Sequence, residues 1–263
     1  MPASMIPPDL AFALLINRTT AYYRSHVPQY MTYSERTHVS APTLGRAQDI
    51  NRSVAVRVAD NFAVMHDLPN GGDRTGQAFP IISYFDPLSE FQFSYFANLK
   101  RVDITVVRGR PYQLAIPQSD PSVDMVVPYN SYWDARYAPD STDSAIHLLI
   151  DPTPRLNGFY PSDVVEDAQS QLPSHVELRL TGGDDEHISL DFKVIDGYWV
   201  ITHGVFSATE HAVFMTFKVI ADITFDDITF TDTAPDPRLA GTPVPTTPSP
   251  APSSASSEAS PAP

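Results

Sequence analysis

Two groups of residues have the types and spacing to do chemistry. His187, His203 and His211 fall close together, near Asp184, Asp185 and Glu186. Converging imidazoles and carboxylates can bind zinc, which needs three or four ligands at one point. Asp222, Asp226, Asp227 and Asp232 form the second group. Opposed carboxylates can serve acid/base work or hold calcium. Without a Gly-containing Asp-x-Asp loop, these four read instead as a solvated strand edge that discourages edge pairing. The remaining histidines are dispersed. The chain has no Gly-x-Ser-x-Gly elbow, no His-Glu-x-x-His, no phosphate-binding glycine loop and no dinucleotide fingerprint. It also has no cysteine, which excludes a disulfide framework, a thiolate zinc site and a cysteine nucleophile. No catalytic residue, metal site or cofactor is therefore expected.

A third group is apolar. Tyr22, Tyr23, Tyr30, Tyr33, Phe91, Phe93, Tyr95, Phe96, Tyr132, Trp133 and Tyr137 are numerous for a chain of this length. Most must be core, but an open sheet that its own helix does not fill leaves an apolar groove, the default ligand site. Tyrosine, with a polar tip on an apolar body, suits the mouth of one.

The elements that would position such a groove can be read from the pattern. The chain has 263 residues, with 17 Lys and Arg against 31 Asp and Glu, so its formal charge is −14. That charge repels phosphate backbones and argues against nucleic acid. Hydrophobic residues make up 42%, enough for a sizeable core. No apolar run reaches the length of a membrane span. Seven of the 26 prolines lie in Thr242–Pro263, a Pro/Ser/Thr/Ala stretch with Glu258 its only charge. Such a segment cannot bury enough surface to offset its ordering entropy. The expected organisation is a disordered start over 1–8, one folded unit over 9–235 with a loop-rich insertion at 108–161, and a disordered tail over 236–263.

Pro7-Pro8-Asp9 opens a helical pattern, with Asp9 placed to cap the first turn. Phe12, Leu15, Ile16, Thr19, Tyr22, Tyr23 and His26 recur at three and four residues, one helix face, and Pro28 ends it. From Gln29 the period changes to two. Gln29 to Ser40, Val54 to Val58, Phe62 to His66, Phe91 to Phe96 and Val102 to Val107 read as strands. The 108–161 region reads as loops with one or two short strands, at Met125 to Val127 and His147 to Ile150. Asp163 to Gln171 fits either a capped helix or a strand.

Asp196-Gly197 is the strongest local signal. The pair supplies the positive φ angles of a two-residue hairpin turn, pairing Ile195 with Tyr198, Val194 with Trp199 and Phe192 with Ile201. Strict alternation then gathers Ile188, Leu190, Phe192, Val194, Trp199, Ile201, His203 and Val205 on one core face. His187 falls on the other, so a metal site shared with His203 is not expected. In the next strand, Val213, Met215, Phe217 and Val219 form a uniformly apolar set. To place that set on the core side, parity demands an odd loop, such as Ser207 to His211, or a bulge. With Ser174 to Leu180 before and Phe225 to Phe230 after, this makes an antiparallel meander of about five strands, buried on one face.

The order of helix, strands, Asp167 to Pro173 leading through Leu-Pro into Val176 to Leu180, and the Asp196-Gly197-Tyr198-Trp199-Val200 hairpin resembles the LolA-like half-barrel family of lipoprotein and lipid carriers. Val213 to Ile220 followed by Phe225 to Phe230 looks like that family's closing edge. The resemblance covers about residues 9–34 and 145–232, with no counterpart for 108–145. It implies strand at Val164 to Asp167 and an α+β, mainly antiparallel fold. It implies a curved half-barrel sheet, with the N-terminal amphipathic helix packed on its concave face and acyl chains held there. No catalytic residue carries over from the family.

The resulting expectation is a non-enzymatic protein that binds a lipid, lipoprotein or other apolar molecule. Phe12, Ile16, Tyr22, Tyr23, Tyr33, Phe192, Trp199, His203, Met215 and Phe217 are its candidate ligand contacts, His203 serving as a polar anchor. Two alternatives stay open: an envelope interaction domain whose groove is filled by its own side chains, and an enzyme on the same scaffold. Family members work outside the cytoplasm, so the expected setting is the periplasm or cell envelope, with a signal segment removed. Read literally, the start at Met1 to Pro8 is that of a cytoplasmic protein. Oligomeric state is left open.

Overall fold

The computed structural model of the chain describes residues 7–79, 81, 113–117, 124–128, 133–142, 145–153, 159–180, 187–212 and 215–241. The strands expected at Phe91 to Phe96 and Val102 to Val107 lie outside the described residues, as does the Thr242–Pro263 tail. One helix, α1 (Pro8–Ser25), precedes the strands. These are β1 (Tyr30–Ala41), β2 (Arg46–Arg57), β3 (Phe62–Asp67), β4 (Asp73–Gln77), β5 (Gln113–Pro117), β6 (Asp124–Pro128) and β7 (Trp133–Tyr137). They continue as β8 (His147–Pro152), β9 (Phe159–Glu166), β10 (Pro173–Leu180), β11 (His187–Ile195), β12 (Tyr198–Ala212) and β13 (Met215–Thr231).

Eleven strands form a single curved, unclosed antiparallel sheet in the order β4-β3-β2-β1-β13-β12-β11-β10-β9-β8-β7, and β5 pairs with β6 alone. The stretch 108–161 is thus richer in strands than its prolines suggest. It holds β5 to β8 and the start of β9 rather than one or two short strands. The ambiguous Asp163–Gln171 stretch resolves as the end of β9 and a turn. The Asp167 carboxylate accepts from the Ser170 and Gln169 amides at 2.7 and 3.2 Å, an Asx-type turn that ends the strand.

The hairpin turn is where local chemistry places it. Asp196 and Gly197 have φ of +50° and +82°, and Ile195 pairs with Tyr198, Val194 with Trp199 and Phe192 with Ile201. Beyond that point the register shifts. Asp191 pairs with His203 and Leu190 with Gly204, leaving Thr202 as the extra residue of a bulge. A bulge reverses the alternation of everything beyond it. His203 and Val205 therefore leave the face of Leu190 and Phe192, and Gly204 and Phe206 take their places. His203 is not a core-face histidine, and it shares its face with His187 rather than opposing it.

The same bulge answers the parity question for β13. Ala212 lies opposite Met215, and β12 runs through the stretch Ser207 to His211 where an odd loop was expected, so the bulge and not a loop sets the parity. Phe217 and Val219 alternate in step with Ala221 and Ile223, whose partners Phe206 and Gly204 are on the inner side. The inner face is crowded there: a Cβ on Gly204 would lie 3.1 and 3.2 Å from Phe206 and Leu190 ring and methyl carbons.

β13 runs unbroken over 17 residues, where the sequence pattern suggested two strands. It pairs with β12 on one side and β1 on the other, so it is interior and not a closing edge. Asp222, Asp226 and Asp227 are consequently not edge guards. Asp222 accepts from His203, Asp226 from Arg36 and Asp227 from the Ser34 hydroxyl. A second bulge, at Asp227 (φ +54°), lets Phe225 and Ile228 both point inward.

Ala11, Phe12 and Leu15 of α1 join one core cluster with Met31, Tyr33, Val54, Leu148, Val164, Leu190, Phe192 and Trp199. Asp9 does not cap its own helix through a described bond. Its carboxylate accepts the Ala135 amide of strand β7 at 3.1 Å. A second segment enters the core after β4. The Ile201 amide donates to the Ile81 carbonyl at 3.0 Å, and Phe79 stacks on Phe225. At the C-terminal end, Arg57 donates to the carbonyls of Leu239 and Gly241 and to both oxygens of Asp60. Leu239 is fully buried, so the chain stays packed through Gly241.

Candidate functional site

An open trough of about 720 Å³ runs between the C-terminal half of α1 and the ends of β10, β11 and β12. Its apolar floor is the pair Phe192 and Trp199, stacked with ring centroids 4.3 Å apart and planes 11° apart. The Asp-Gly turn places these two side by side: both lie on the inner face, on adjacent strands near the hairpin end. The Trp199 indole N–H is already used, donating to the Pro173 carbonyl at 2.8 Å. Tyr22 forms one wall. Its hydroxyl donates to the Gly197 carbonyl at 2.7 Å, and its ring stacks on His26 at 4.1 Å. Val194, 41% exposed, adds an uncovered apolar side chain at the rim.

The polar rim is Asp167, Gln169, Ser170, Ser174 and Lys193. Asp167 is held below the usual carboxylate range by the Ser170 amide and hydroxyl and the Gln169 amide, against a small burial effect. Beside it, Glu166 is pushed up by burial, opposed by the Arg18 guanidinium at 2.6 Å. Both rings of the floor are buried, and the one polar atom they carry, the indole N–H, is already bonded, so the floor offers only apolar contact.

Three candidate contacts from the sequence come together in this trough: Tyr22, Phe192 and Trp199. Phe12 is fully buried under the helix. Tyr33, 2% exposed, packs edge-on against Phe225 at 5.5 Å, and its buried hydroxyl has no partner among the described residues. Burial pushes the phenol above its ordinary range. Phe217 lies half-buried near the far end of the β12–β13 ribbon, and Met215 is placed by its backbone register there. Ile16 and Tyr23 belong to α1, with side chains outside those described. His203 faces the opposite side of the sheet. The Asp167–Ser170 turn, Pro173 and Val194 complete the trough without having been singled out. The Leu172-Pro173 pair and the polar turn before it were the available signal.

The outer face carries a different chemistry. His175 and His203 both contact Asp191, at 2.7 and 2.9 Å, and the other ring nitrogen of His203 is 3.0 Å from Asp222. A trough of about 630 Å³ beside them is lined by Thr202, Thr224, Asp226 and Asp227 at the two bulges. Among the described residues no group of three or more His, Asp or Glu is placed to hold a metal ion. None of the described helices is long and apolar enough to cross a membrane.

No protein-family model matches the sequence, and no curated protein does. Among solved structures, the fold is similar to that of a LolA superfamily protein from Nitrosomonas europaea, at 9% identity over 82% of this chain and 94% of that one, with a TM-score of 0.36. It is similar to a DUF1329 family protein from Desulfovibrio piger, at 10% identity over 86% and 94%, TM-score 0.40. A putative outer membrane lipoprotein-sorting protein domain from Vibrio parahaemolyticus matches at 10% identity over 87% and 97%, also with a TM-score of 0.40.

Proposed function

We propose that this protein binds an apolar ligand, a lipid or acyl chain, without catalysing a reaction, and that the trough between α1 and β10–β12 is the place of contact. The observation that carries this reading is the trough of about 720 Å³ itself, floored by the buried Phe192–Trp199 stack, with the indole N–H already bonded inside the protein and Val194 exposed at the rim. That volume lies in the range of ordinary small-molecule sites. Phe12, Ile16, Tyr23, Tyr33, Met215 and Phe217 then serve the helix and sheet that shape the trough. In this reading α1 is the amphipathic lid on the concave face of a half-barrel spanning about residues 9–235. The setting in this reading is extracytoplasmic, to which the absence of cysteine is no obstacle.

The self-filled interaction domain keeps one specific observation in its favour. Phe79 and Ile81 of the chain itself enter the core beside Phe225 and Ile201.

Fluorescence separates the two. The chain has two tryptophans, so Trp133→Phe leaves Trp199 as the only indole. Titration with cis-parinaric acid is expected to give saturable energy transfer from Trp199. Val194→Glu, at an exposed rim position, is expected to weaken it by about tenfold or more, because burying a charge beside a hydrocarbon is costly. Transfer that never saturates, or that Val194→Glu leaves untouched, would remove the trough as the site.

A further inference from the structure

Five of the eight histidines lie against aspartates: His38 on Asp49, His66 on Asp73, His147 on Asp140 and Asp163, His175 on Asp191, and His203 on Asp191 and Asp222. Two of these differ from the other three. Nδ1 of His203 is 2.9 Å from Asp191 Oδ2 while Nε2 is 3.0 Å from Asp222 Oδ1. Nδ1 of His147 is 2.7 Å from Asp140 Oδ1 while Nε2 is 3.1 and 3.2 Å from the two oxygens of Asp163. A neutral imidazole has one N–H and one lone pair, and an ionised carboxylate only accepts. A neutral ring in either position would aim a lone pair at a carboxylate. Only the doubly protonated ring donates on both sides. His38, His66 and His175 each meet carboxylate through one nitrogen, which a neutral tautomer satisfies.

We infer that His147 and His203 stand as imidazolium cations in the folded protein, and that they are pH-released clasps lacing the outer face of β8 to β13. His147 ties β8 to Asp163 of β9 and to Asp140 in the turn before β8. His203 on β12 ties Asp191 of β11 to Asp222 of β13, and the second oxygen of Asp191 accepts from His175 of β10. One set thus ties β8 to β9 and the other ties β10 through β13.

The surrounding charges agree. Around His203 the facing groups are Asp191 from β11, Asp222 from β13 and, through Asp191, His175 from β10. Lys193 and Asp226 line the neighbouring trough. Around His147 they are Asp140 and Asp163, with Glu177 of β10 paired opposite Asp163 and bound to Arg179. On the β7 side, Arg136 is bound to Asp151. Burial of each ring disfavours the cation, but the carboxylate hydrogen bonds outweigh it, and both histidines are raised above their ordinary value. Asp191 is correspondingly lowered, its own burial being outweighed by His175 and His203. A histidine raised in the folded state contributes stability that is complete below its unfolded value of about 6.5 and is lost as pH climbs through the folded value. The clasps therefore hold in mild acid and release toward alkaline pH.

The inference stands apart from what the trough binds. Long-range proton–nitrogen NMR of the full chain reads the protonation of each ring. At about pH 7, His147 and His203 are expected with both nitrogens protonated. Asp222→Asn, at a half-exposed site, is expected to move the titration midpoint of His203 down and to leave that of His147 in place. The thermal midpoint is expected to fall between about pH 6 and about pH 8, and the double variant His147→Gln/His203→Gln is expected to flatten that fall. Rings at His147 and His203 singly protonated at neutral pH would overturn the inference. So would a His203 midpoint indifferent to Asp222→Asn, or a pH dependence that survives in the double variant.

Discussion

Around β2 and β3 the sheet is tied by guanidiniums, whereas from β8 to β13 its outer face is tied by imidazoles. In the first region Arg57 is buried and shared between Asp60 and the carbonyls of Leu239 and Gly241. Arg52 bridges Glu35 and Asp67, and Arg238 bridges Asp236 and Asp73. In the second region the bridging cations are His147 and His203. Arginine stays charged at every accessible pH and satisfies several acceptors at once, so it suits a place where the C-terminal end must stay pinned. Histidine changes charge near neutrality. Two parts of one sheet, both rich in aspartate, are thus bridged by cations that differ in kind: one set keeps its charge at every accessible pH and the other loses it toward alkaline pH.

The comparison can be broken most severely at Arg57. Arg57→Met removes the guanidinium from a buried carboxylate and two carbonyls, and should cost about 3–5 kcal/mol. The loss should be the same across mild acid and alkaline pH, as denaturant titration at several pH values would show. A strongly pH-dependent loss would undo the contrast. Gly204→Val comes next. It forces branched carbon atoms into the space of Phe206 and Leu190 beside the Thr202 bulge, at a cost of about 1–3 kcal/mol in urea unfolding. If it is tolerated without loss, the inner face at the bulge is looser than the distances imply.

Asp191→Asn is smaller and sharper. It withdraws one carboxylate from two histidines at once, on a partly exposed face, so about 1 kcal/mol or less is expected. The loss should be larger in mild acid than in alkali. The sign follows from linkage: without Asp191 one of the two carboxylates that raise His203 on folding is gone, and the stability it adds is present in acid and lost toward alkali. An equal loss at both pH values would mean that Asp191 acts only through packing. Smallest of all is Arg36→Gln, at the exposed pair with Asp226. It should change stability by about 0.5 kcal/mol or less and lose even that in high salt.

Much of the β-structure was legible because it is written locally. Tyr30 to Ala41 alternates and is a strand, and Asp196-Gly197 dictates its turn by backbone preference alone. Two of the candidate contacts, Phe192 and Trp199, could be put on one face on paper because they flank that turn at known offsets. Tyr22 meets them only because α1 lies across the hairpin end, with its hydroxyl on the Gly197 carbonyl. Nothing in a single segment encodes that meeting. The faces beyond Phe192 were misassigned for a related reason. The bulge at Thr202 carries no signature residue in the sequence, and one extra residue exchanges every face after it.

The sequence by itself determined the antiparallel character, the Asp-Gly hairpin and the lack of any cysteine. Each of these follows from residue type or from spacing within one segment. Tertiary structure alone decided that β13 lies inside the sheet between β1 and β12. It alone turned His203 outward between two aspartates and brought Tyr22 over the Phe192–Trp199 stack. These depend on which distant strands pair and in what register. That choice is made by burial summed over the whole sheet, and no short stretch of chain contains it.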